Sequence, residues 1–149
     1  MYRHILVATD GSDLATRGLD HAVALAAGLG ARLTVLTVSE PWNAALTDPS
    51  GVVGFDAFLD DYRAAARAKA DQVLAEARAR ANARGVVDAD IVFVAEAAPA
   101  DAILDTATAR GADVVVMASH GRRGLGRVLL GSQTQDVLAR CELPVLVVR

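Results

Sequence analysis

The sequence holds one cysteine, Cys141, and one lysine, Lys69. A single cysteine excludes an intramolecular disulfide and cannot by itself make a zinc site. No apolar run approaches the ~18–20 residues that cross a bilayer. Met1-Tyr2-Arg3-His4-Ile5 leads straight into a short apolar run, without the pattern of a cleavable signal. The P-loop pattern G-x-x-x-x-G-K-[ST] is absent, which excludes a P-loop nucleotide hydrolase. The segment Thr9-Asp10-Gly11-Ser12-Asp13 lacks G-x-G-x-x-G, which disfavours a dinucleotide site. The net charge of −3, from 15 basic and 18 acidic residues, argues against a nucleic-acid surface. These absences lead to the expectation of a soluble, cytoplasmic protein that engages neither nucleic acid nor membrane.

What is present is a core. Hydrophobic residues make up 53% of the chain and charged residues 22%, which excludes a disordered chain. With 149 residues, one domain spanning 1–149 is expected. A domain of that size buries roughly 68–70% of its unfolded surface. Apolar, β-rich runs occur at Ile5 to Thr9, Leu33 to Val38, Ile91 to Val94, Val114 to Met117 and Val145 to Val148. They are nearly continuous rather than alternating, as in a parallel sheet covered on both faces.

Helical segments fill the gaps between these runs. The first extends from about Ser12 to Leu29, with Asp10, Ser12 or Asp13 as cap and Gly28 or Gly30 as stop. The second extends from about Phe55 to Arg84. Its Phe55, Leu59, Tyr62, Ala66, Ala70, Val73 and Ala77 follow the spacing of one helix face. The third covers about Ala100 to Arg110 and the fourth about Ser132 to Arg140. The alternation predicts an α/β, doubly wound, Rossmann-like fold with helices on both faces of a five-stranded parallel sheet. Only Ser39 to Gly54 is long and irregular.

Ligands in such sheets bind beyond the carboxyl ends of the strands, where the strand order reverses. Asp10 follows the first strand there. A receiver domain would need a phospho-acceptor Asp after the third strand, and none is present. The stretch after the fourth strand differs from the rest of the chain. From Val114 to Gln135 there is no Asp or Glu, while Arg122, Arg123, Arg127 and four glycines fall in the same window. A glycine-rich basic loop that opens a helix at Ser132 suits an anion, because backbone N–H groups can approach phosphate oxygens.

Gly121 is followed by nine residues and then Gly131-Ser132. This spacing resembles the nucleotide-binding signature of the universal stress protein family, G-x-x-G-x9-G-[ST]. The similarity extends to the opening Ile5-Leu6-Val7-Ala8-Thr9-Asp10-Gly11-Ser12, to Val114 through Arg122, and to the closing Leu143-Pro144-Val145-Leu146-Val147-Val148. One position departs, since Ala118 stands where the signature has its first glycine.

The resemblance implies the strand order 3-2-1-4-5, which places Asp10 beside the arginine and glycine loop. It further implies an ATP-binding regulatory protein of the stress response. In that reading Ala8, Thr9, Asp10 and Val38 line the adenine and ribose. Ala118, Ser119, His120, Gly121, Arg122, Arg123 and Gly124, with Gly131, Ser132, Gln133 and Thr134, hold ribose and phosphates. Asp10 can also help hold Mg2+ through water. The implied assembly is a homodimer through Val145 to Val148.

Two alternatives stand beside this reading: a nucleotide-free relative that acts through protein contacts, and a slow ATP hydrolase. No carboxylate or lysine lies between Ala118 and Thr134 to act as a base, so no catalytic residue is assigned. His4 and His21 have no partner suggested by spacing. His120 reads as a solvated loop residue or a phosphate contact, and Cys141 as a small packed side chain. Trp42 reads either as a lid over the base or as packing for the long loop. The client, the signal and the particular stress leave no mark in these residues.

Overall fold

A computed structural model of the chain describes residues 1–43, 55–120 and 130–149. Its elements are β1 (His4–Ala8), α1 (Asp13–Leu29), β2 (Arg32–Val38), α2 (Phe55–Ala83), β3 (Asp90–Val94), α3 (Pro99–Arg110), β4 (Val114–Ala118), α4 (Ser132–Arg140) and β5 (Val145–Val148). The five strands form one sheet in the order β3-β2-β1-β4-β5, and every pairing is parallel. The expected fold class and strand order are therefore observed.

The near-continuous apolar runs are explained by two cores. Ile5, Val7, Leu33, Val35, Val114 and Val116 face α1 and α2, where they meet Leu19, Val23 and Leu74. Leu6, Leu36, Val115 and Met117 face α3 and α4, where they meet Ile103, Ala107 and Val137. Each side chain of this size contributes roughly 1.5–3 kcal/mol on full burial. A strand that must satisfy both faces has no room for alternation.

Helix termini follow local chemistry. Ser12, with extended backbone at φ −68° and ψ 161°, caps α1 by accepting the Ala15 N–H. Gly30 ends α1 in the left-handed conformation at φ 62°, which glycine adopts without a Cβ penalty.

The buried stripe of α2 differs from expectation. It comprises Ala70, Leu74, Ala77 and Ala81, while Val73 is half-buried and Phe55 is exposed. The reason is length. The 29 residues of α2 span ~43 Å, whereas the seven of β2 span ~23 Å. The first turns of α2 therefore outrun the sheet that their apolar residues would cover. Trp42 packs edge-on against Phe58 and Tyr62, with ring centroids 4.8 and 5.3 Å apart. Its side chain thus belongs to the packing of this overhang.

Candidate functional site

β1 lies between β2 and β4. The chain leaves β1 toward β2 through α1, on one face of the sheet, and leaves β4 toward β5 through α4, on the other. The carboxyl ends of β1 and β4 are therefore the topological switch point. Thr9 and Asp10, just past β1, Val38 at the end of β2, and Ala118 to His120 at the exit of β4 come together there, with the start of α4 beside them.

The β1 exit is held from β2. The Thr9 N–H donates to the Leu36 carbonyl at 2.9 Å, and the Thr37 hydroxyl donates to the Thr9 carbonyl at 2.9 Å. Thr9 Oγ1 accepts the Gly11 N–H at 3.2 Å, and Asp10 Oδ1 accepts the Ser12 N–H at 2.9 Å. The carboxylate therefore closes an Asx turn, the bland role open to an Asp-Gly pair. Thr37 was not identified from the sequence. A threonine at the end of an apolar strand run is the only signal it leaves.

The β4 exit is tied once to β5 and twice to the start of α4. The Ser119 N–H donates to the Val148 carbonyl at 2.8 Å, and the Gly131 N–H donates to the Ser119 carbonyl at 2.8 Å. The Thr134 hydroxyl, 2% exposed, donates to the Ala118 carbonyl at 3.0 Å. Gly131 itself sits against the backbone of His120, and a Cβ there would lie 3.2 Å from the His120 Cα and 3.3 Å from its Cβ. Its φ of −62° and ψ of 152° suit any residue. Close approach, not backbone freedom, is what requires glycine.

Ala118 also behaves as an ordinary residue. It is the last residue of β4, pairs with Val148, and is 7% exposed. Among the described residues only Glu96 combines a side chain with positive φ, at 52°. The departure from the signature thus falls on strand backbone, where alanine carries no conformational cost.

The helix starts that follow the two strands of the switch point, β1 and β4, are unlike. α1 begins with a serine cap and Asp13 in its first turn. α4 begins at Gly131, which has no side chain to cap with, and carries no acid in its first turn. The first N–H groups of a helix and its dipole favour an anion. Of these two starts, α4 is the one whose own side chains do not already answer that need.

The polar side chains of α4 are divided between roles. Ser132 is exposed. Gln133 Oε1 accepts the Ala100 N–H at 3.0 Å, capping α3, whose own N-cap is Ala98. Thr134 is engaged as above. Gln133 Oε1 and the Thr134 hydroxyl, on residues expected to hold ribose or phosphate, thus make bonds within the fold, and Ser132 carries the exposed hydroxyl. His120 Nδ1 lies 3.2 Å from Ser119 Oγ, and the ring is half-buried. Gly121, Arg122, Arg123 and Gly124 lie outside the described residues. Among the described residues no cluster of three metal-binding side chains occurs. No described helix is long and apolar enough to cross a membrane.

A doubly wound, all-parallel sheet in the order β3-β2-β1-β4-β5, with helices on both faces, defines a Rossmann-like class of α/β protein. The family model for the universal stress protein family matches residues 1–149, and the chain belongs to that family. It is 38% identical over 149 residues to the universal stress protein encoded in the QAH/OAS sulfhydrylase 3' region of Thermus aquaticus, covering 100% of both chains. It is similar to the universal stress protein UspA of Lactobacillus plantarum, with a TM-score of 0.85, 25% identity, and coverage of 99% and 98% of the two chains. It is also similar to a universal stress protein solved in complex with cAMP, with a TM-score of 0.72, 30% identity, and coverage of 99% and 97%.

Proposed function

We propose that this protein is an ATP-binding regulatory module of the stress response that works as a homodimer. The observation that carries the reading is the start of α4. It has a glycine cap and an acid-free first turn, and hydrogen bonds hold it against the β4 exit at the switch point. The relative in complex with cAMP supports an adenine nucleotide as the occupant. In this reading Thr9, Asp10 and Val38 face base and ribose. The backbone around Ser119, Gly131 and Ser132, with the Ser132 hydroxyl, meets the phosphates. Asp10 orients a hydrated Mg2+, an ion that commonly takes one carboxylate plus substrate phosphates.

The dimer follows from the edge of the sheet. β5 is the last strand in the order, and Leu146 on it is 42% exposed. An apolar open edge invites pairing with a second chain. Turnover is expected far below the ~10 s−1 median of enzymes, because the loop supplies no base. The test is mass spectrometry of the small molecules released when the purified protein is denatured. Recovery of an adenine nucleotide supports the proposal. A nucleotide-free protein that also fails to bind added ATP contradicts it and favours action through protein contacts alone.

A further inference from the structure

Among the described residues, the most enclosed titratable side chain lies at the opposite end of the sheet from the switch point. His4 opens β1 and is 4% exposed. Its Nε2 lies 2.8 Å from Thr34 Oγ1 on β2. Its Nδ1 is fully enclosed and makes no hydrogen bond of good geometry, although the Arg110 carbonyl near the ring favours a proton there. Either neutral tautomer keeps the contact with Thr34, whose hydroxyl both donates and accepts.

Protonation would place a charge on the enclosed ring. The surrounding charges pull in both directions, and the two carboxylates that favour the proton are already engaged elsewhere. Arg32, the register partner of His4 on β2, repels a cation. Asp90 of β3 is paired with Arg110 at the end of α3. Asp113, just before β4, already accepts the backbone N–H groups of Arg3 at 2.8 Å and His4 at 3.1 Å. Arg3, next in the chain, is cationic as well. Burial first, and Arg32 second, hold the imidazole below its ordinary range, against the Arg110 carbonyl, Asp113 and Asp90, which favour the proton.

We propose that His4 is a proton-sensing element whose enclosure at the amino-terminal end of the sheet favours the fold most while its ring is neutral. The sign follows from linkage. In the unfolded chain the ring binds a proton near pH 6.5, and in the fold only at lower pH. Between those values the unfolded state holds more protons, so stability falls as the pH falls. The limit is one proton, or tenfold in the unfolding constant per pH unit.

The test compares urea unfolding of the full chain and of His4→Gln at pH 7.5 and 5.5. Carboxylates common to both proteins cancel in the ratio of their unfolding constants. That ratio is expected to move at least threefold toward greater acid sensitivity of the wild type. Parallel loss of stability in both proteins overturns the proposal. Should His4→Gln fail to fold, NMR titration of the wild-type ring decides. A midpoint clearly below pH 6.5 supports the proposal, and one at or above that value overturns it.

Discussion

Replacing Gly131 by alanine tests the geometry of the proposed site with one methyl group. The backbone at φ −62° and ψ 152° accepts alanine without strain. Alanine restricts the unfolded chain, which by itself would stabilise the fold by about 0.4–1 kcal/mol. Against this, the new Cβ would lie 3.2 Å from the His120 Cα, 3.3 Å from its Cβ and 3.5 Å from the Ser119 carbonyl oxygen. Two of these three atoms are backbone, and the Ser119 oxygen already accepts the Gly131 N–H. They cannot turn aside as a flexible side chain would, so the two segments must separate. Overpacking of this kind costs typically 1–3 kcal/mol. The net expectation is a loss of about 0–2.5 kcal/mol. With 2–4 °C per kcal/mol for a chain of this size, the melting temperature should fall by up to ~10 °C. ATP affinity should weaken at least threefold, because the start of α4 moves away from the β4 exit. Thermal unfolding and calorimetric titration read the two effects. A Gly131→Ala protein that is more stable than wild type, with unchanged affinity, would refute the argument from close approach.

Other substitutions separate the remaining roles. Gln133→Ala should remove the side-chain cap of α3 and cost about 1 kcal/mol, measured by urea unfolding, while ATP affinity changes less than threefold. A large affinity loss would instead assign the amide to the ligand. Ala118→Gly should lower stability by about 0.5–1 kcal/mol, as glycine does inside a strand, and change ATP affinity less than tenfold, or 1.4 kcal/mol. Binding that appears only in the glycine variant would contradict the strand geometry of Ala118. Leu146→Lys should convert the proposed dimer to monomer in light scattering at ~10–50 μM, the range of ordinary micromolar association. A wild-type monomer under those conditions would contradict the dimer.

Much of the sheet was legible because each strand is buried on both faces. Val114-Val115-Val116-Met117 has no place except the middle of such a sheet, and its run of apolar residues says so. The α2 stripe was less legible. Helical periodicity marks Phe55 and Tyr62 as one face, but carries no information about where the sheet beneath that helix stops. The carboxyl-end location of the site followed from topology, and Asp10 and Ser132 could be placed there from strand and helix boundaries alone. The division of labour within α4 could not. Gln133 caps α3 because Ala98 provides no cap, a relation between residues 35 positions apart that only the packed fold creates. The pairing of His4 with Thr34 is hidden for the same reason. Glu96 shows a further limit. Its positive φ accompanies an N–H donated to Ser39 Oγ at 3.2 Å and a two-pronged ion pair with Arg63 at 3.0 and 3.3 Å. No residue pattern in Ala95 to Pro99 announces any of these contacts.

Calorimetric titration of the wild-type protein with ATP and with adenosine, side by side, tests the central claim most directly. If the start of α4 and the β4 exit receive phosphate, ATP should bind at least tenfold more tightly than adenosine, a difference of about 1.4 kcal/mol or more. Equal affinities for the two ligands, or no binding of either, would contradict the account.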